Sequence, residues 1–153
     1  MNVPNATKKK LLDGSIDLGN DTLKVALFED STAYTFDPDN HEFVNDILDG
    51  GTTATEFSGS GYSRQGLTTQ ATSQDNTDDE GVFDADDVTF SRPDGATIQG
   101  AILYKQVGGD DTTPGDDPVI AVLDDGDTAD LPLTTNGSDV TIAWDTEGII
   151  NNT

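Results

Sequence analysis

Carboxylates are the residues best placed to do chemistry in this chain, and they come in runs. The stretch "DNTDDEGVFDADDVTF", residues 75–90, holds seven acidic side chains in sixteen positions, yet Val82, Phe83, Val88 and Phe90 read as the apolar side of a strand pair. Two further clusters follow: Asp110, Asp111, Asp116 and Asp117, then Asp124, Asp125, Asp127 and Asp130. Calcium is the first chemistry such loops suggest. An EF-hand loop needs Gly at its sixth position for the turn and Glu at its twelfth to grip the ion with both oxygens. Counted from Asp75, those places fall on Glu80 and Asp86. The run "GGDD" occurs once, so the repeated calcium-binding nonapeptide is missing as well. No cofactor and no specific metal site are expected. Asp124, Asp125, Asp127 and Asp130 stand as weak calcium candidates, as do Asp110, Asp111, Asp116 and Asp117, and the other acidic runs read as hydrated turns.

Hydrolysis is the second chemistry. A glycosidase needs two carboxylates at a set separation, one with a raised pKa. With 30 acidic residues in the chain, such pairs can be drawn anywhere, which makes each of them uninformative. His41 is the sole histidine and would have to serve any Ser-His-Asp triad. No nucleophile-elbow sequence accompanies it. Its place beside Glu42, at the start of an expected helix, reads as a surface role. No enzymatic activity is expected.

The third pattern is "TKKKLL". Lys8, Lys9 and Lys10 are three of only seven basic residues, and Leu11 and Leu12 follow them directly. A basic end on an acidic body can meet an acidic partner surface, or it can be a solvated helix end favoured by the helix dipole. These five residues are the candidate docking segment. The aromatic set Tyr34, Phe36, Tyr62, Phe83, Phe90, Tyr104 and Trp144 could form a sugar-binding platform. Phe90, Tyr104 and Trp144 lie within strand alternation, however, so core or interface packing is the expectation.

The elements that position these groups are mostly strands. Pro4 and Asn5 can open a short helix that Gly14 ends. "TLKVALFED" is apolar at both odd and even positions, as a central strand covered on both faces requires. Asn40 can cap a helix of two to three turns carrying Phe43, Val44 and Ile47, closed by Gly50 and Gly51. Beyond Thr52 the chain alternates strands and turns: "TATEF", "GLTTQATS", "GVFDADDVTFSR", "ATIQGAILYKQ", "PVIAVLD", "ADLPLTT" and "DVTIAWD". The turn signal Asn136-Gly137 is expected to join the last two as a hairpin. The expected fold is mainly β, a β-sandwich or jelly-roll with one or two short helices. Residues 1–14 form an N-terminal segment with a short helix, and residues 15–153 form a single domain.

Composition bounds the setting. The 153 residues carry a formal net charge of -23. At low ionic strength such a charge opposes compaction, and at about 1 M salt a Debye length of roughly 3 Å screens it. A folded protein adapted to brine is the expectation. There is no cysteine, so thiolate sites and disulfides are excluded. "MNVPNATKKKLLDG" has no apolar run of the length a signal peptide or membrane span needs. Neither export nor membrane insertion is expected. Nucleic acid is not an expected partner either, because the charge repels phosphate.

The segments "LLDGSIDLGNDTLKVALFED", "YTFDPDNHEFVNDI", "GSGYSRQG", "FDADDVTF", "AILYKQVG" and "VTIAWDTEGI" span most of the chain. In this order the sequence resembles small structural proteins of tailed viruses. The resemblance implies a virion component, most directly a capsid decoration or cement protein. It further implies a homo-oligomer bound to the major capsid protein or another virion protein, assembled in the host cytoplasm. The acidic bias then points to a virus of a halophilic archaeon. A tail, fibre or turret subunit is the alternative within the virion. A halophile surface domain binding calcium or carbohydrate is the alternative from a different class.

Overall fold

The computed structural model describes residues 1–29, 34–49, 53–124 and 131–152. Among the described residues two helices, α1 (Asn5–Leu12) and α2 (Val44–Ile47), accompany eleven strands. These are β1 (Leu23–Glu29), β2 (Thr55–Glu56), β3 (Gln65–Gly66), β4 (Ala71–Asp75), β5 (Glu80–Asp84), β6 (Val88–Phe90), β7 (Thr97–Lys105), β8 (Val119–Leu123), β9 (Leu133–Thr134), β10 (Val140–Ile142) and β11 (Ile150–Asn152). The protein is mainly β, and all strand pairs are antiparallel. No helix among the described residues is long and apolar enough to cross a membrane.

The main sheet runs β2-β1-β7-β8, with β3 also on β1 and β9 also on β7. Its spine is the β1–β7 ladder, in register from Leu23 opposite Lys105 to Phe28 opposite Gly100. The unbroken apolar character of β1 has the expected cause: the strand is covered on both faces. Val25, Leu27 and Leu103 point into a large core shared with Phe83, Val88, Phe90 and Ile142. Ala26, Phe28, Ile102 and Tyr104 point into a smaller core under α2, with Val44, Ile47 and Val119. Period-two alternation thus sends neighbouring residues of one strand to two different cores.

Gly100 is a point of tight packing on β7. A β-carbon there would run into the Phe28 ring and the Leu123 carbonyl oxygen. The β1–β7 register slips at the next step, between Phe28 and Glu29. The outer edge of β8 is closed by the N-terminus: the Asn2 N–H donates to Val122 O at 2.9 Å, and the Val122 N–H donates back to Asn2 O at 2.8 Å. A covered edge cannot recruit a foreign strand there.

Three expectations need correction. The helix over residues 40–50 is a single turn, because Leu48 leaves helical geometry at φ -89° and ψ 63°. Asn40 does not cap it. Instead Asp37 gathers the Asp39 and Asn40 amides at 2.9 and 3.2 Å, and Asp46 accepts the Phe43 N–H at 2.7 Å. The strands within "GVFDADDVTF" do not pair with each other: β5 lies between β4 and β11, and β6 pairs with β10. Asn136-Gly137 does mark a turn, with Gly137 at φ 77°. Its flanking strands nevertheless go to different sheets, β9 to β7 and β10 to β6. Each of these sequence signals is local, whereas strand pairing is settled by contacts far away in the chain.

Candidate functional site

The five residues of the basic, leucine-bearing segment take different roles in α1. Thr7 turns inward, fully buried, and its hydroxyl donates to Val119 O, fixing the helix along β8. Lys9 pairs with Asp13 at 2.7 Å, one turn further on. This holds the Asp13 carboxyl at about 2, chiefly through the Lys9 hydrogen bond and then through Ser15. Lys10 reaches Glu42 at 2.8 Å and sits 4.4 Å from the centre of the Phe43 ring. Lys8 has no ion pair among the described residues and contacts only the Asn5 amide oxygen, at 3.3 Å. Leu11 is half-buried against the large core. Leu12 is 88% exposed, which is unusual for a leucine beside an apolar surface. The segment therefore offers one uncommitted cation, Lys8, and one uncovered apolar side chain, Leu12.

Both flank a groove of about 550 Å³ between α1 and the β11-β5-β4 sheet. Leu11, Leu18, Val82, Phe83 and Ile150 supply its apolar wall. Among the described residues no carboxylate lines it, in a chain with 30 acidic residues. Part of the cause lies in the sequence: residues 1–12, 72–73 and 149–152 contain no Asp or Glu, while Leu18, Val82 and Phe83 come from stretches whose acids Asp17, Glu80 and Asp84 are not among the lining residues. β4 and β11 are the outer strands of their sheet, and Ala71 through Gln74 are exposed.

A second polar constellation was not singled out by the sequence. Arg64 donates from Nε to Glu56 Oε1 and from Nη2 to Glu56 Oε2, both at 2.8 Å, in a two-pronged contact. Its Nη1 reaches the Tyr104 hydroxyl at 3.2 Å. That hydroxyl donates to Asp111 Oδ1 at 2.7 Å, where Gln106 also donates at 2.7 Å, and Lys24 pairs with Asp111 Oδ2. The Tyr62 hydroxyl donates to Glu56 at 2.8 Å and accepts the Leu27 N–H at 3.1 Å. Burial pushes both tyrosines up, while Glu56 holds Arg64 firmly protonated. Burial also pushes Asp111 up, but the hydrogen bonds from Lys24, Tyr104 and Gln106 outweigh it and hold the carboxyl below the usual range. The network joins β1, β2, β7 and the loop after β7. Its members are tied to one another, and its chemistry is that of a clip.

The acidic runs resolve into turn builders. Asp75 accepts the Thr77 and Asp78 amides at 2.6 and 3.2 Å, shaping the β4–β5 hairpin. Asp86 accepts the Thr69 hydroxyl at 2.6 Å, and Asp87 accepts the Trp144 amide at 3.0 Å. Among the described residues no three carboxylate or imidazole groups converge as a metal would require. Of the weak calcium candidates, Asp124 accepts the Asn2 amide at 3.1 Å, while Asp125, Asp127 and Asp130 lie outside the described residues. His41 is not the surface residue its sequence position suggests. It is 7% exposed, stacked on Tyr34 at 5.9 Å with Phe36 edge-on at 5.8 Å. Its Nδ1 accepts the Asp37 N–H at 3.1 Å. The seven aromatic candidates are all buried or half-buried, with Trp144 donating to Asp86 O at 3.0 Å.

Compared with known proteins, the chain matches no protein-family model and no curated protein.

Proposed function

We propose that this chain is a non-enzymatic structural protein of a virus particle: a capsid decoration or cement protein of a tailed virus whose host lives in brine. In this reading the groove beside α1 is the docking surface, and its occupant is the major capsid protein. The observation that carries the reading is that no described carboxylate lines the groove, in a molecule of charge -23, with Leu12 exposed at its rim. An acidic partner surface is repelled almost everywhere else on the molecule and is met here by Lys8 and aliphatic side chains. The apolar contact supplies affinity, and the cation mainly sets orientation, since exposed ion pairs contribute only about 0 to 1 kcal/mol.

The same reading takes the small sheets as a second layer, closing a sandwich over the main one. Phe83 of β5, Val88 and Phe90 of β6, and Ile142 of β10 share their core with Val25 and Leu103 of the main sheet, which supports it. Such a layer would hold α1 rigidly at the edge of a compact shell clamp.

Reconstitution on particles stripped of this chain tests the function. Leu12→Ala should reduce occupancy about tenfold or more, from the roughly 1.5 to 3 kcal/mol that a buried leucine contributes. Its melting should not change, because Leu12 is outside the core. Wild-type protein that fails to bind the shell, or binds equally well without Leu12, defeats the proposal. Copy number separates the shell role from a tail, fibre or turret role: a decoration protein approaches shell stoichiometry.

A further inference from the structure

We propose that Asp117 is a proton-operated latch: as a neutral acid it holds the 107–117 loop closed, and as a carboxylate it favours release of that loop. The loop, "VGGDDTTPGDD", leaves β7 and returns to β8. Asp117 joins its two ends, because Oδ1 accepts the Val107 N–H at 2.7 Å. Its backbone oxygen accepts the Val44 N–H at 3.0 Å, tying the same point to α2. The residue is 0% exposed, and its second carboxyl oxygen, Oδ2, has no hydrogen-bond partner.

Its neighbours in the loop differ. Asp110 accepts the Thr112 amide and hydroxyl at 2.9 and 2.6 Å. Asp111 has donors on both oxygens. Asp116 is exposed to water. Only Asp117 combines full burial with an oxygen that lacks a donor. A buried carboxylate in that condition is costly, whereas the neutral acid keeps its Val107 bond and carries no uncompensated charge.

The charges around the site are divided. Asp111 and Asp116, from the loop itself, oppose ionisation. Arg64, from the segment between β2 and β3, favours it, but its Nε, Nη1 and Nη2 each already donate to Glu56 or Tyr104. On α2, Asp46 directs its carboxylate to the Glu42 and Phe43 amides. Lys105, at the end of β7, is paired with Asp21. Burial is the largest influence on the Asp117 carboxyl and outweighs the Val107 hydrogen bond, which favours the charged form, so the net direction is upward from the ordinary value of 3.8. The sign follows from that direction. The closed loop is favoured while the proton is bound, and the advantage declines as pH rises through the elevated pKa. Opening carries Asp111 away from Lys24 and Tyr104, baring a cation within an acidic surface.

The test uses the full chain in molar salt. Amide exchange at Val107 is followed from pH 4 to 8 and corrected for the intrinsic rate. Wild-type protection should fall by up to about tenfold per pH unit above the Asp117 pKa, while Asp117→Asn, which retains an acceptor for Val107, should stay flat. A flat wild-type profile, or the same slope in both proteins, overturns the latch. Should the variant not fold, the carboxyl carbon shift of Asp117 in wild-type protein decides. A midpoint above 4 supports the proposal, and a midpoint at or below 4 overturns it.

Discussion

His41 is a residue whose neighbourhood sets its charge. Burial pushes its pKa down from 6.5, more than Asp37, Asp46 and Asp49 push it up. Because Nδ1 accepts the Asp37 N–H, protonation there must break that bond. A histidine with a lowered native pKa contributes stability that is complete above its unfolded value and is lost as pH falls below about 6.5. Wild-type melting should therefore drop more between pH 8 and pH 5 than that of His41→Asn, whose oxygen can replace Nδ1 as acceptor. Equal drops would place the titrating group elsewhere. Arg64 allows a second test at this scale. Arg64→Lys keeps the charge but cannot make two parallel bonds to Glu56. Denaturant unfolding should show a loss of about 1 to 3 kcal/mol, and a loss below about 0.5 kcal/mol would mean the clip is slack. Neither role was legible in the sequence. Nothing around "PDNHEF" signals that the imidazole is roofed by Tyr34 and Phe36, and Glu56, Arg64 and Tyr104 meet only because β2, β7 and the turn before β3 converge on β1.

Among the elements, those most legible in sequence carry apolar residues at both odd and even positions. β1, β7 and β8 are covered on both faces, so "LKVALFE", "TIQGAILYK" and "VIAVL" declare themselves without knowledge of their partners. Helix α1 was also readable, since Pro4 and Gly14 bracket it. β11 is not legible in the sequence, because "INN" is short, largely exposed and polar. It exists through its ladder to β5. The groove was half legible: "KKKLL" announced a docking segment, but only the fold separates the tied Lys9 and Lys10 from Lys8, and Leu11 from Leu12. Gly100 gives the prediction for this scale. Gly100→Ala should destabilise by about 1 to 3 kcal/mol through overpacking, since the new methyl group meets Phe28 and the β8 backbone together. Thermal melting checks this, and an unchanged melting temperature would show that the two cores are loosely joined there.

The whole molecule is governed by how its few cations are spent. Lys9, Lys10, Lys24, Arg64 and Lys105, five of the seven, are engaged in internal ion pairs. The remaining carboxylates have almost nothing on the surface to offset them. At about 0.01 M salt the Debye length of roughly 30 Å spans a small domain, so they repel across its whole width. Circular dichroism should show loss of strand signal on dilution from molar to millimolar salt, and an unchanged spectrum and melting point would refute adaptation to brine. The attachment of α1 has a further consequence, in mechanics. A load applied at Leu12 has two routes into the protein. Through Thr7 and Asn2 it reaches β8, and through residues 13–22 it reaches β1. Those strands flank β7 in the main sheet, so tension divides between two ladders on one nine-residue strand. Where the pull runs along the strands, the cross-strand hydrogen bonds on both sides of β7 resist in shear, many at a time, instead of peeling open one after another.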